Sequence, residues 1–264
     1  MKMLDQPTRR RIYRHLTGFN TCQELLDAEL VAHRILPHIQ RGIANHTAHD
    51  ISHSVRVIEY IDKLIHIAGR KGIKLSQVEI LVLYVAAWLH DIGNLSKKKR
   101  PIHSDESCRM ISKLSKGYLR LGVLSKPVEL AVRYHQSDHD IGEIPDDEYM
   151  IKGEKVRPRL VCSILRIADD CDMGEERAND VVYLLIEDQL NELEKKHWLG
   201  NKAILSVDFD ANAEAIVVTV TSGKKARFIV DDFKMKFEKV KPYIGIYLPL
   251  GEVIVREVPK SNLR

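Results

Sequence analysis

Six side chains that bind transition metals well lie in order along the chain: His53, the adjacent pair His90 and Asp91, His103, His135 and Asp169. The pair closes the stretch AAWLHDIGN, an apolar run that ends on two good ligands. Polar groups at the inner end of a buried helix lose their hydration without compensation unless a partner satisfies them. A metal ion is one such partner. Ordinary capping is the other, with His90 on the last helical carbonyls and Asp91 on the backbone N–H groups of the turn before Gly93. His135 ends VELAVRYHQ in the same way, on the face of Val128, Ala131 and Val132, and Asp169 ends RLVCSILRIADD. His53 shares a helical face with Val57, Ile61 and Leu64, where a lone histidine fits equally well as a core residue bonded to a carbonyl. His103 opens a further helix. His46 and His49 lie just upstream, and the His49/His53 pair has the i, i+4 spacing that also suits a metal, so which of these histidines binds is open. Each residue alone has a structural explanation, whereas one metal site accounts for all of them. Imidazole nitrogen with carboxylate oxygen and no thiolate suits manganese, iron, cobalt, nickel or zinc rather than calcium.

These residues need helices to position them. Apolar spacing near 3.6 runs from the N-terminus to about residue 198 and predicts helices over 22–40, 48–69, 76–91, 104–115, 126–137, 157–170 and 176–197. GRKG, the KKKRP run, KGYLRLG and GEIPDDE punctuate them. After Trp198-Leu199-Gly200 the pattern turns to alternating, β-branched stretches: AILSVDFD and AIVVTVTSG predict a hairpin, DDFKMKFEKVKPY a helix, and GEVIVREV a last strand. The expected fold class is mainly α, a helical bundle over 1–199 followed by a small C-terminal α+β unit over 200–264 packed through its sheet face.

At 264 residues the chain is long enough to bury a core without staples, and its four cysteines form no C-x-x-C pair. No apolar run is expected to span a bilayer, and MKMLDQPTRRRIYRHL has no signal-type apolar stretch, so the expectation is a cytoplasmic protein. The net charge of +4 is mild, with acidic residues interspersed. A nucleic-acid role would rest on the lysines at 97–99 and on Lys234, Lys236, Lys239 and Lys241, with no aromatic stacking motif beside them, and is not expected. The chain could also form a homodimer.

The order H…HD…H…H…D resembles the HD-domain superfamily of metal-dependent phosphohydrolases, on His53 in SHSVRV, His90-Asp91 in AAWLHDIGN, His103 in HSDES, His135 in VRYHQ and Asp169 in LRIADDCD. AVRYHQ and SILRIADDCD are also similar to the helical C-terminal domain of exopolyphosphatase-type proteins. The resemblance implies an HD-type bundle in which His53, His90, Asp91 and Asp169 hold one metal, His103 and His135 add the ligands of a second, and Asp91 bridges. Asn94 stands where cyclic-dinucleotide phosphodiesterases of the superfamily usually have lysine, and Gln136 where a second histidine is often found, which weakens that particular substrate assignment. The activity implied is hydrolysis of a nucleotide or another small phosphoester by hydroxide generated on a divalent transition metal, with two ions preferred. Arg56, one turn after His53, and Lys97 and Lys98 are candidate phosphate clamps, Asp91 and Arg56 are the candidate catalytic residues, and Asp172 and Arg177 fit a structural ion pair as well as a role in the site. The competing class is a nucleotide-sensing or protein-interaction module that keeps the scaffold without turnover.

Overall fold

The computed structural model describes residues 4–39, 50–96, 103–145 and 148–258. Lys97, Lys98, His46 and His49 lie outside the described residues. The fold is mainly helical with a small C-terminal sheet. Its bundle comprises α1 (Gln6–Ile12), α2 (Gln23–Ile39), α3 (Ile51–Arg70), α4 (Gln77–Leu89), α5 (His103–Leu114), α6 (Ser125–Tyr134) and α7 (Pro158–Cys171). A two-stranded hairpin, β1 (Tyr149–Ile151) with β2 (Glu154–Val156), precedes α7.

At the centre is α4, with every residue from Val78 to Leu89 buried. With the short turn that follows, Gln77–Leu95 reaches the length and hydropathy of a membrane span, contrary to the expectation that no run would, and 94% of it is buried inside the fold. An apolar helix of this kind is a core helix when other helices surround it on all sides. Ser76 and Glu79 close a reciprocal capping box at its start.

The expected helix over 176–197 is instead α8 (Asp180–Ile186) and α9 (Glu192–Lys202), separated by a tight turn and extended Leu190. The break has a local cause, because Asn179 caps α8 and Asn191 forms a capping box with Glu194, so the second asparagine starts a new helix instead of continuing the first. The expected domain boundary at 199/200 falls inside α9. Beyond it, β3 (Ile204–Asp210) and β4 (Ala215–Val220) form the expected hairpin, α10 (Gly223–Ile244) begins eight residues before the expected start, capped by Ser222, and β5 (Glu252–Glu257) returns parallel to β4. Buried apolar residues of the bundle and of the C-terminal unit form one continuous cluster that runs from Ile12 to Leu250.

Two helices of the bundle start together and arrive together. Glu79, fully buried in the first turn of α4, accepts from the backbone N–H of Arg157 at 2.9 Å and from its guanidinium at 2.8 and 2.7 Å, and Arg157 is the residue that caps α7. From this clamp each helix runs about 17 Å at about 1.5 Å per residue. α4 then delivers His90 and Asp91, and α7 delivers Asp169, to the same point. Removing one partner of a buried ion pair leaves the other charge uncompensated, so Glu79→Ala is expected to cost about 3 kcal/mol in a denaturant titration. A loss below about 1 kcal/mol, the value typical of a surface pair, would show that the clamp does not hold the helices.

Candidate metal centre

Five helix ends meet around Asp91: the C-terminal ends of α4, α6 and α7 and the N-terminal ends of α3 and α5. The structure brings all six expected ligand residues to this point. His53 and His90 face each other with their Nε2 atoms 3.0 Å apart, and His103 and His135 do the same at 3.1 Å. The Asp91 carboxylate lies between the pairs. Its Oδ2 is 3.4 Å from His53 and 3.6 Å from His90, and its Oδ1 is 3.3 Å from His103. Asp169 approaches the first pair, 3.2 Å from His53 and 3.5 Å from His90. Two groups able to hold a metal result, His53/His90/Asp91 and Asp91/His103/His135, each with its ligand atoms within 4.8 Å of one another.

The donor set fits a metal for a reason beyond proximity. On His90, His135 and His53 the other ring nitrogen has an acceptor: Nδ1 of His90 meets the Ala87 carbonyl at 2.9 Å, Nδ1 of His135 the Val132 carbonyl at 2.5 Å, and Nδ1 of His53 the Asp172 carboxylate at 2.6 Å. An acceptor on Nδ1 places the proton there and leaves Nε2 with a lone pair. Facing lone pairs 3 Å apart repel unless a cation or a proton stands between them.

Without a metal, protons serve. Burial disfavours charge on His53, but hydrogen bonds to Asp169 and Asp172 outweigh it and raise its pKa to about 9. His135 is pushed down to about 3 by burial and by the neighbouring His90 and His103. Against the cost of burial, hydrogen bonds from His53 and His90 hold Asp169 well below the usual carboxylate range.

Several residues behind the ligands support this arrangement. Asp172, for which the sequence left an ion pair with Arg177 and a role in the site both open, takes the proton side of His53 and is gripped in turn by Arg56, Nε at 2.6 Å and a terminal nitrogen at 3.0 Å. Arg56, expected to clamp phosphate, is thus engaged behind His53 and lines a neighbouring cavity of about 230 Å³ rather than the cleft over Asp91. Arg177 donates to the backbone carbonyl of Asp172 at 2.7 Å. Asn94 donates to Asp91 Oδ1 at 3.0 Å, and Gln136 accepts from the backbone N–H of Ser104 at the start of α5, beside His103. Arg166, fully buried, donates to the backbone carbonyls of Tyr134, Gln136 and His139 and so fixes the chain on either side of His135.

Gly93 lets α5 come close. A Cβ there would lie 2.1 Å from the His103 carbonyl oxygen and 2.5 Å from the Ser107 nitrogen, while the Gly93 N–H donates to Ser107 Oγ at 2.8 Å and Ser107 donates to the His90 carbonyl at 2.5 Å.

A cleft of about 410 Å³ opens over Asp91, His103, His135 and Asp169, and its opposite wall comes from the C-terminal part of the chain, with His197 and Asn201 of α9 and Ile229, Asp232, Phe233 and Lys236 of α10.

This bundle with its clustered histidines and aspartates defines an HD-type domain. The chain belongs to the HD-CE family, which matches residues 36–258. No curated protein matches the chain.

Two outcomes follow from the packing and the protonation. Gly93→Ala has backbone, not a flexible side chain, in its way, so α5 must move; the expected result is a loss of about 1–3 kcal/mol and of the metal held with His103 and His135, read by melting and by metal content. Unchanged metal content in a folded variant would contradict the close-approach argument. In chelator-treated protein, the raised pKa of His53 contributes stability that is complete below its unfolded pKa of about 6.5 and is lost as pH rises through about 9. The lowered pKa of His135 contributes stability that is lost as pH falls below about 6.5. The metal-free protein should therefore melt highest near neutral to slightly acid pH, and a melting temperature that rises steadily from there into alkali would refute the assignment.

Proposed function

We propose that the chain is a metal-dependent phosphohydrolase acting on a nucleotide or another small phosphoester. The observation that carries this reading is the division of the Asp91 carboxylate between two histidine pairs on the floor of a cleft. A phosphoester is anionic and resists attack by water; a divalent metal, when bound, neutralises phosphoryl oxygens and lowers the pKa of a coordinated water. In this reading His53, His90, Asp91 and Asp169 hold one ion, Asp91, His103 and His135 hold a second, and manganese, iron, cobalt, nickel and zinc all suit the donors.

The other residues act on these ligands. Asp172 fixes the tautomer and orientation of His53, and Arg56 fixes Asp172, so Arg56 is assigned a positioning role rather than contact with the substrate. Asn94 orients Asp91. The cleft is of small-molecule size, and the apolar Met173, Ile229 and Phe233 on its wall offer a flat organic group such as a nucleobase a surface away from water. Hydrolysis is favoured over binding alone because hydrogen bonds orient His53, His90, His135 and Asp91 from behind, and a surface that only docks a nucleotide has no need of them.

The test is metal content by mass spectrometry on protein purified without chelator, together with hydrolysis of a panel of phosphomonoesters and phosphodiesters after manganese loading, for the wild type and Asp91→Ala. About two ions per chain, as a two-metal site requires, turnover of at least one ester, and loss of both in Asp91→Ala are expected. A metal-loaded wild type that hydrolyses none of the panel would leave the chain a binding module.

A further inference from the structure

We propose that Lys236 is the clamp for the anionic group of the substrate, and that Asp232 holds the lysine in waiting until that anion arrives. The assignment rests on the phosphohydrolase reading for the nature of the anion, and its geometry comes from the C-terminal unit. Ile229, Asp232, Phe233 and Lys236 follow one another at i, i+3, i+4 and i+7 on α10, so a single helical stripe faces the cleft. The stripe and the ligand residues line the same cleft.

Among the described residues that line the cleft, the lysine and arginine side chains are those of Arg177 and Lys236. Arg177 is tied to Asp172, both to its backbone carbonyl and near its carboxylate at 3.9 Å, and so belongs with the support of His53. Lys236 is held differently. Its Nζ is 3.4 Å from Asp170, the mostly buried neighbour of Asp169 on α7, and 2.9 Å from Asp232, one turn back on its own helix. Asp170 anchors the ammonium close to the metal ligands. Asp232 is 40% exposed at its side chain, and an exposed i, i+4 pair is weakly held. An ammonium has three donors, so Lys236 can keep Asp170 and turn a second donor from the Asp232 carboxylate to a phosphate oxygen.

A lysine that merely neutralises Asp170 would account for the same distances. The two roles separate at Asp232. If Lys236 is a clamp, Asp232 competes with the incoming anion, and removing its charge strengthens anion binding; if Lys236 is only structural, removing that charge leaves anion binding as it was.

The experiment is calorimetric binding of inorganic phosphate to the full chain loaded with manganese, for the wild type, Lys236→Met, Lys236→Arg and Asp232→Asn, with metal content and melting temperature recorded for each. Expected are a loss of about tenfold or more in phosphate affinity in Lys236→Met, recovery of most of it in Lys236→Arg, and affinity severalfold above wild type in Asp232→Asn, with metal content unchanged throughout. Equal affinity in wild type and Lys236→Met, unchanged or weaker affinity in Asp232→Asn, or a metal-loaded wild type that does not bind phosphate would each overturn the clamp. Should Lys236→Met fail to fold, Asp232→Asn still decides, because it alters only an exposed carboxylate. Phosphate binding that depends on Lys236 in a protein that hydrolyses no ester would refute the activity and leave the clamp standing.

Discussion

The Asp91 carboxylate lies almost wholly out of water between two pairs of imidazoles, and the bundle is organised around keeping it there. Two carboxylates and four histidines gathered at a point would repel or desolvate one another if nothing balanced them. The balance is reached by directing the imidazoles of His53, His90 and His135. Nδ1 atoms turn outward to carbonyls or to Asp172, and Nε2 atoms turn inward. Helix ends suit this task better than helix middles, because the unpaired carbonyls of a last turn supply the acceptors. His90 and His135 each use the carbonyl three residues before them.

Position is set far from the ligands as well as beside them. α4 and α7 are registered by Glu79 and Arg157 at the opposite end of the bundle, and the chain around His135 is held by Arg166 from α7. The polar interactions that fix the site therefore run through the apolar core, and each is buried and paired where it crosses. The network explains why two charged side chains, Glu79 and Arg166, lie inside a mainly apolar bundle.

Much of this was legible in the sequence because it depends on local pattern. The periodicity of α2 to α7 and the alternation of β3 and β4 mark the elements, and the histidine and aspartate positions at helix ends mark the ligands. What was not legible depends on contacts distant in sequence. The sequence paired Asp172 with nearby Arg177, but its contact with His53, over a hundred residues earlier, appears only in the fold. Arg56 and Lys236 exchange the roles that their sequence neighbourhoods suggest: the arginine beside a ligand faces away into an ion pair, and the lysine in a basic run faces the cleft. The split between α8 and α9 was readable from Asn179 and Asn191, but their capping competes with an unbroken apolar pattern, and the caps prevail.

The order of the residues along the chain has a consequence for how the protein is made. Every ligand from His53 to Asp169 precedes the two helices, α9 and α10, that wall the cleft. A nascent chain emerging N-terminus first exposes the whole ligand set before its cover has been synthesised. In the finished molecule these residues share one cleft with α9 and α10. The floor and the wall of one cleft are thus made at different times, and the cleft takes shape only once α9 and α10 have joined the bundle.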